Sequence, residues 1–149
     1  KYGKGEGEQY VEFLVQNLKP FIDKKYRTLK DSPHTFIAGS SLGGLISMYA
    51  ATKYPNVFGG AGIFSPSFWI APKIYEETAN ANWGNRFRRF FFYAGGKEDE
   101  AMIPDLNRML NIIEKKGSYE TRRVMNPLGK HNEATWRKEF AGFYNFIIR

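Results

Sequence analysis

Thr35-Phe36-Ile37-Ala38-Gly39-Ser40-Ser41-Leu42-Gly43-Gly44-Leu45 is the stretch on which the fold turns. Thr35–Ala38 reads as a short apolar strand. Leu42 to Tyr54, rich in Leu, Ile, Met and Ala and closed by Pro55-Asn56, reads as a helix. Between them Gly39-Ser40-Ser41-Leu42-Gly43 fits G-x-S-x-G, a strand-to-helix turn that holds its central serine under strain. Side chains two positions either side of Ser41 are expected to collide with strand and helix, hence the glycines, and Gly44 adds room. Such a turn lifts the Ser41 hydroxyl above the strand end. It also aims the Leu42 N–H and the helix N-terminus at the spot where an oxyanion would form. The competing reading is a tight turn with solvated serines, and Ser40, outside the pattern, reads as structural.

Outward from this turn, helical and strand patterns alternate through short connections. Tyr10 to Tyr26 carries a helical stripe of Val11, Phe13, Leu14, Leu18, Phe21 and Ile22, which Pro20 should bend or restart. Phe58–Phe64 is a glycine-rich apolar run suited to a buried strand, and Ile70–Gly84 holds a short helix at most. Arg89–Ala94 is bulky and apolar on both faces, as in a covered parallel sheet. Ile103–Lys116 has the helix period through Leu106, Met109, Leu110 and Ile113, with Pro104 in its first turn and Gly117 after it. Tyr119–Met125 is a last strand. Glu133–Ile148 is a last helix with Trp136, Phe140, Phe143, Tyr144 and Ile147 on one side. Alternation of this kind predicts an α/β fold: a parallel sheet of about four strands with crossover helices on both faces.

A serine nucleophile needs a base, and the chain has 2 histidines. His34 precedes the elbow strand and belongs at the opposite end of the sheet, at the surface. His131, in Gly129-Lys130-His131-Asn132-Glu133, follows the last strand and therefore shares the rim that carries Ser41. The acid should follow the intervening strand, which ends in Gly95-Gly96-Lys97-Glu98-Asp99-Glu100. It must lie close to the strand end and point inward to hold the imidazole. Glu98 is placed best, Asp99 second, and Glu100 should face water. The plainer reading of this loop is a solvated acidic turn capping the next helix.

Composition excludes several other classes. With 149 residues, 42% hydrophobic and 25% charged, the chain fits one globular domain rather than a disordered segment. Aromatic residues, at 17%, supply bulk for both a core and a pocket wall. The absence of cysteine removes disulfides, thiolate metal sites and a cysteine nucleophile. No apolar run nears the ~20 residues of a membrane span, and no signal peptide is visible behind Lys1; a soluble, cytoplasmic protein is the slightly favoured expectation. The net charge of +7 is scattered over pairs such as Lys24-Lys25, Arg86-Arg88-Arg89 and Arg122-Arg123, which read as solvated positions. No helix-turn-helix spacing, RNA-binding aromatic motif or zinc-ligand set accompanies them, so nucleic acid is not an expected partner. No metal or cofactor is called for.

Several stretches together resemble a known family. They are Leu18-Lys-Pro-Phe-Ile-Asp with Tyr26-Arg-Thr, Ile37-Ala-Gly-Ser-Ser-Leu-Gly-Gly-Leu, Tyr54-Pro-Asn-Val-Phe, Phe64-Ser-Pro-Ser-Phe-Trp, Tyr93-Ala-Gly-Gly-Lys-Glu and Lys130-His-Asn-Glu-Ala-Thr-Trp. In this order they resemble the bacterial esterases of the α/β-hydrolase fold, a group with esterase D-like, feruloyl-esterase-like and enterochelin-esterase-like members. The resemblance implies a serine esterase with Ser41 as nucleophile, His131 as base and Glu98 as acid, acting on a small-molecule ester. It further implies that Ser65-Pro66-Ser67-Phe68-Trp69 lines the acyl or alcohol pocket, with Ser65, Phe68 and Trp69 as contacts. A second tryptophan that often follows Trp69 in the family is Ile70 here.

Family members begin with further strands that supply half the sheet and a second oxyanion donor. Residues 1–149, with Gly3, Gly5 and Gly7 as lead-in, correspond to the C-terminal half, a partial α/β-hydrolase domain. The expectation is an elbow strand left as an open edge, available for self-association. The rival to an esterase is a hydrolase-like binding or assembly module with impaired catalysis.

Overall fold

The computed structural model describes residues 5–117 and 119–149; the lead-in glycine Gly3 lies outside them. Four strands, β1 (Phe36–Ser40), β2 (Gly60–Phe64), β3 (Arg88–Gly95) and β4 (Tyr119–Asn126), form one sheet in the order β1-β2-β3-β4. Every neighbouring pair is parallel, with Ser40 level with Phe64, Phe64 with Tyr93 and Gly95 with Asn126. All four C-terminal strand ends therefore meet at one rim, and the loops that leave them share it.

The helices are α1 (Gly7–Phe13), α2 (Lys19–Lys25), α3 (Leu42–Lys53), α4 (Lys73–Asn80), α5 (Met102–Ile113) and α6 (Glu133–Ile147). α1 and α2 form one run joined by a π-helical turn at Leu14–Leu18. Pro20, in the first turn of α2, has no N–H for the preceding turn, so the helix widens there instead of breaking. The sheet is covered on both faces, but unequally. Strand order follows chain order, so the crossover helices α3, α4 and α5 gather on one face with the helical run, instead of being shared between the two. Their core holds Val11, Met48, Ile63, Phe68, Phe90, Phe92, Leu106, Met109 and Ile113. Helix α6 covers the other face through Phe143 and Phe146, packed on Phe64, Phe91 and Tyr93. Alternation along β3 sends Phe90 and Phe92 to the first core and Phe91 and Tyr93 to the second, the two-sided burial expected of Arg89–Ala94.

Three expectations need correction. In the N-terminal stripe only Val11 is fully buried, while Phe13, Leu18 and Phe21 are exposed. On α6, Phe140 and Tyr144 are exposed and Phe146 is buried in their place. One exposed residue from each set, Leu18 and Tyr144, joins Ile22, Ile37 and Ile147 in lining an open apolar cleft beside β1. The third is Arg88, which is not solvated but 1% exposed. Its guanidinium donates to the carbonyls of Pro55, Phe58 and Trp83, and it lies over the Trp83 ring. Burial, with Arg86 nearby, lowers its pKa from the ordinary guanidinium value.

Candidate active site

Ser41 is the last residue before α3, and its backbone stands at φ 58°, ψ −119°. A non-glycine residue rarely takes such a conformation, which costs on the order of 1–3 kcal/mol. Backbone hydrogen bonds hold it: its N–H donates to the Phe64 carbonyl, and its own carbonyl receives the N–H groups of Gly44, Leu45 and Ser67. The steric account of the glycines is right for Gly39, where a Cβ would stand 2.6 Å from the Gly43 carbonyl carbon. It fails for Gly43, whose Cβ would enter open space. Gly44 is the crowded one, 3.1 Å from the Phe64 oxygen and from Pro66. Leu42 opens α3, so its N–H has no acceptor within the helix and remains available beside the Ser41 hydroxyl.

Glu98 and His131 arrive from the loops after β3 and β4. His131 Nδ1 lies 3.1 Å from Glu98 Oε2. The Glu98 side chain is wholly buried, whereas that of His131 keeps 39% of its surface exposed. Glu98 Oε1 receives the Ser65 hydroxyl at 2.7 Å and the Gly95 N–H at 2.8 Å. A carboxylate only accepts, so Nδ1 carries the imidazole proton and Nε2 is left as the acceptor. Asp99 is exposed and accepts the Ala101 N–H in the turn that leads into α5, whose N-cap is Ala101 and not an acidic residue. His34 is at the surface, 2.7 Å from Asp31.

Ser41, Ser67, Trp69, Asp99, Ala101, Met102 and His131 line one cleft of about 450 Å³. Nucleophile and base candidates thus face the same space, although the Ser41 hydroxyl is hydrogen-bonded to that of Ser67, at 3.2 Å, rather than to the imidazole. Of the three pocket contacts expected, Trp69 lines the cleft and the other two do not. Phe68 is a core residue set edge-on against Tyr75. Ser65 is fully buried, and its hydroxyl lies between Glu98 and the Trp136 indole N–H, 2.9 Å away. Residues 65–68 of this strand-end turn are all buried, and only Trp69 stands exposed at the rim.

Sequence reasoning placed Ser67 in the pocket-lining stretch without its hydrogen bond to Ser41, and missed Trp136 as a site residue. Trp136 read only as part of the apolar side of α6. A buried indole N–H nearly always finds an acceptor, and its place five residues after His131, on the first turn of the next helix, was the available signal. Tyr93 was also missed. Its hydroxyl is buried under Gly129 with no hydrogen-bond partner among the described residues. Burial, reinforced by Glu98 and Glu139, pushes the phenol up to about 12. Among the described residues no group of His, Asp and Glu is arranged to hold a metal, and no helix is long and apolar enough to cross a membrane.

Residues 2–146 match the Putative esterase family. The chain belongs to that esterase family. Relatives and solved structures of esterases resemble it over nearly its whole length. The endo-1,4-beta-xylanase/feruloyl esterase of Xylanibacter ruminicola is 25% identical over 91% of this chain and 17% of its own. The crystal structure of the BES protein from Bacillus cereus superposes with a TM-score of 0.81 at 21% identity, over 97% of this chain and 56% of that one. The enterobactin esterase FES of Shigella flexneri, with 2,3-di-hydroxy-N-benzoyl-glycine present, gives a TM-score of 0.68 at 26% identity, over 93% of this chain and 37% of that one. The matched region spans 17–47% of the curated relatives' length. For solved structures the span is 35–60%. The esterase family's parallel sheet and flanking helices are thus those described above.

Proposed function

We propose that this chain carries the nucleophile, base and acid of a serine carboxylic-ester hydrolase acting by acyl transfer. The observation that carries the reading is the buried Glu98 carboxylate against Nδ1 of His131, an imidazole that lines the same cleft as Ser41 and keeps Nε2 as its acceptor. In the first step Ser41 Oγ turns from Ser67 to the imidazole and attacks the ester carbonyl carbon while Nε2 takes its proton. The tetrahedral oxyanion rests on the Leu42 N–H, with a second donor expected from outside these residues. His131 then protonates the departing alcohol, and water, deprotonated by the same nitrogen, cleaves the acyl-enzyme. The substrate is a small-molecule ester, in keeping with the feruloyl and enterobactin esterases among the relatives. Residues 1–149 are read as the part of an α/β-hydrolase domain that bears the elbow, acid and base.

The test is labelling by a fluorophosphonate probe together with hydrolysis of an aryl ester. Labelling and turnover in the wild type, both abolished in Ser41→Ala, support the proposal; a wild type that takes no label refutes it and leaves a binding or assembly module. One observation favours that second reading: the outer edge of β1 is unpaired among the described residues, beside the apolar cleft. It would act by self-association through that edge. Sedimentation showing only monomer at high concentration would discard it.

A further inference from the structure

Ser65 and Trp136 have no role in the chemistry just described, yet both touch it. Ser65 is one of the described non-glycine residues with positive φ, at 45°; the other is Ser41. The two stand at the C-terminal ends of adjacent strands, Ser65 directly after β2 as Ser41 is directly after β1. Its N–H donates to the Tyr93 carbonyl at 2.8 Å, extending the β2–β3 ladder while the backbone turns left-handed. That turn carries its hydroxyl inward, under the rim, onto Glu98 Oε1. Backbone strain of this kind persists only where surrounding contacts over-determine it.

Trp136 meets the acid–base pair at both ends, touching His131 directly and reaching Glu98 through Ser65. Its indole N–H donates to Ser65 Oγ at 2.9 Å, occupying an oxygen lone pair and leaving the serine proton directed at the carboxylate. Its ring also meets the His131 imidazole edge-on, with centroids 4.9 Å apart and planes at 84°. Asn132, the N-cap of α6, accepts the Thr135 N–H with its side chain, and its carbonyl takes the Trp136 N–H. His131 and the indole are thereby held to one rigid helix start.

We infer that Ser65 and Trp136 form a positioning relay, in which the indole orients the Ser65 hydroxyl, the hydroxyl fixes the Glu98 carboxylate, and the indole edge braces the His131 ring. The inference rests on the functional reading above. Neither residue touches substrate; both act through Glu98 and His131. With one carboxylate oxygen occupied by Ser65 and Gly95, the other is committed to Nδ1. Loss of the hydroxyl frees the carboxylate to rotate, so the imidazole loses its orientation while the cleft walls stay as they are.

The experiment compares Ser65→Ala, Ser65→Gly, Trp136→Phe and the double variant Ser65→Ala/Trp136→Phe. Aryl-ester kinetics are measured beside the low-field proton NMR signal of the His131 Nδ1–H. Glycine removes the hydroxyl and suits the positive φ, so it separates loss of the hydrogen bond from loss of the fold. A hydrogen bond to a charged group implies a kcat about 10- to 100-fold lower for both Ser65 variants with KM unchanged. Trp136→Phe, losing a neutral bond and an edge contact, falls about 2- to 10-fold. The double variant matches Ser65→Ala to within about twofold, because the indole's larger effect passes through the serine. In every variant the Nδ1–H signal moves upfield or broadens. Effects that multiply, a change confined to KM, or an unmoved Nδ1–H signal overturn the relay. A wild type without turnover refutes the functional reading separately, and the NMR signal, which needs no turnover, still decides the relay.

Discussion

Replacing Glu98 by glutamine changes one atom of a buried, fully committed group, and its effect can be worked out from the contacts. Glu98 Oε1 receives two donors, the Ser65 hydroxyl and the Gly95 N–H. A glutamine must therefore keep its carbonyl oxygen there, since an NH₂ in that place would confront the backbone N–H of Gly95. The NH₂ then occupies the position of Oε2, 3.1 Å from His131 Nδ1. A donor at that point requires Nδ1 to accept, which moves the imidazole proton to Nε2, the nitrogen proposed to receive the Ser41 proton. The variant is isosteric but holds the wrong tautomer. Reversal of the tautomer in serine hydrolases costs about 10⁴ in kcat, or about 5.4 kcal/mol of barrier at ~1.36 kcal/mol per tenfold. Hydrolysis of an aryl ester and the rate of fluorophosphonate labelling should both fall by about this factor in Glu98→Gln, with an unchanged circular-dichroism spectrum. Asp99→Asn, altering an exposed carboxylate of the cleft wall that accepts the Ala101 N–H rather than holding the imidazole, should stay within about threefold of wild type. Retention of wild-type rates to within about tenfold in Glu98→Gln would refute the assignment of the acid.

Two other outcomes follow from particular contacts. The Ser41 hydroxyl is hydrogen-bonded to Ser67 and must leave that bond in the proposed attack, so Ser67→Ala should accelerate fluorophosphonate labelling about 2- to 10-fold, the worth of one neutral hydrogen bond; slower labelling would instead make Ser67 a contributor to the reaction. Tyr93→Phe removes a buried hydroxyl that has no partner among the described residues, which should raise the melting temperature by about 2–4 °C per kcal/mol recovered, and calorimetry decides it. The same phenol carries a pH dependence. Its folded pKa is raised by burial to about 12 from 10.0, so its unfolded form ionises first and stability declines between these values as pH rises. Tyr93→Phe should lose that part of the decline in denaturant titrations.

The amino-acid sequence alone determined the order of elements, the elbow and the rim. Those features are local or follow from parallel strands: a strand meeting a helix through G-x-S-x-G places Ser41, and parallel pairing brings the loops bearing Glu98 and His131 to the same side. Which of Glu98 and Asp99 is buried against His131 could not be read from the sequence, because neighbouring carboxylates in one loop look alike until the chain is packed. Nor could the duties of Ser65 and Phe68, since adjacent residues of a rim turn point to core, carboxylate or cleft according to backbone angles that only the packed sheet sets. Which apolar residues of α6 and the N-terminal run are covered was likewise decided by tertiary structure, because a periodic stripe names a face but not its partner. Arg88 shows the same limit from the polar side. Three backbone carbonyls, distant in sequence and brought together by folding, make a buried guanidinium tenable where charge alone predicts a solvated one.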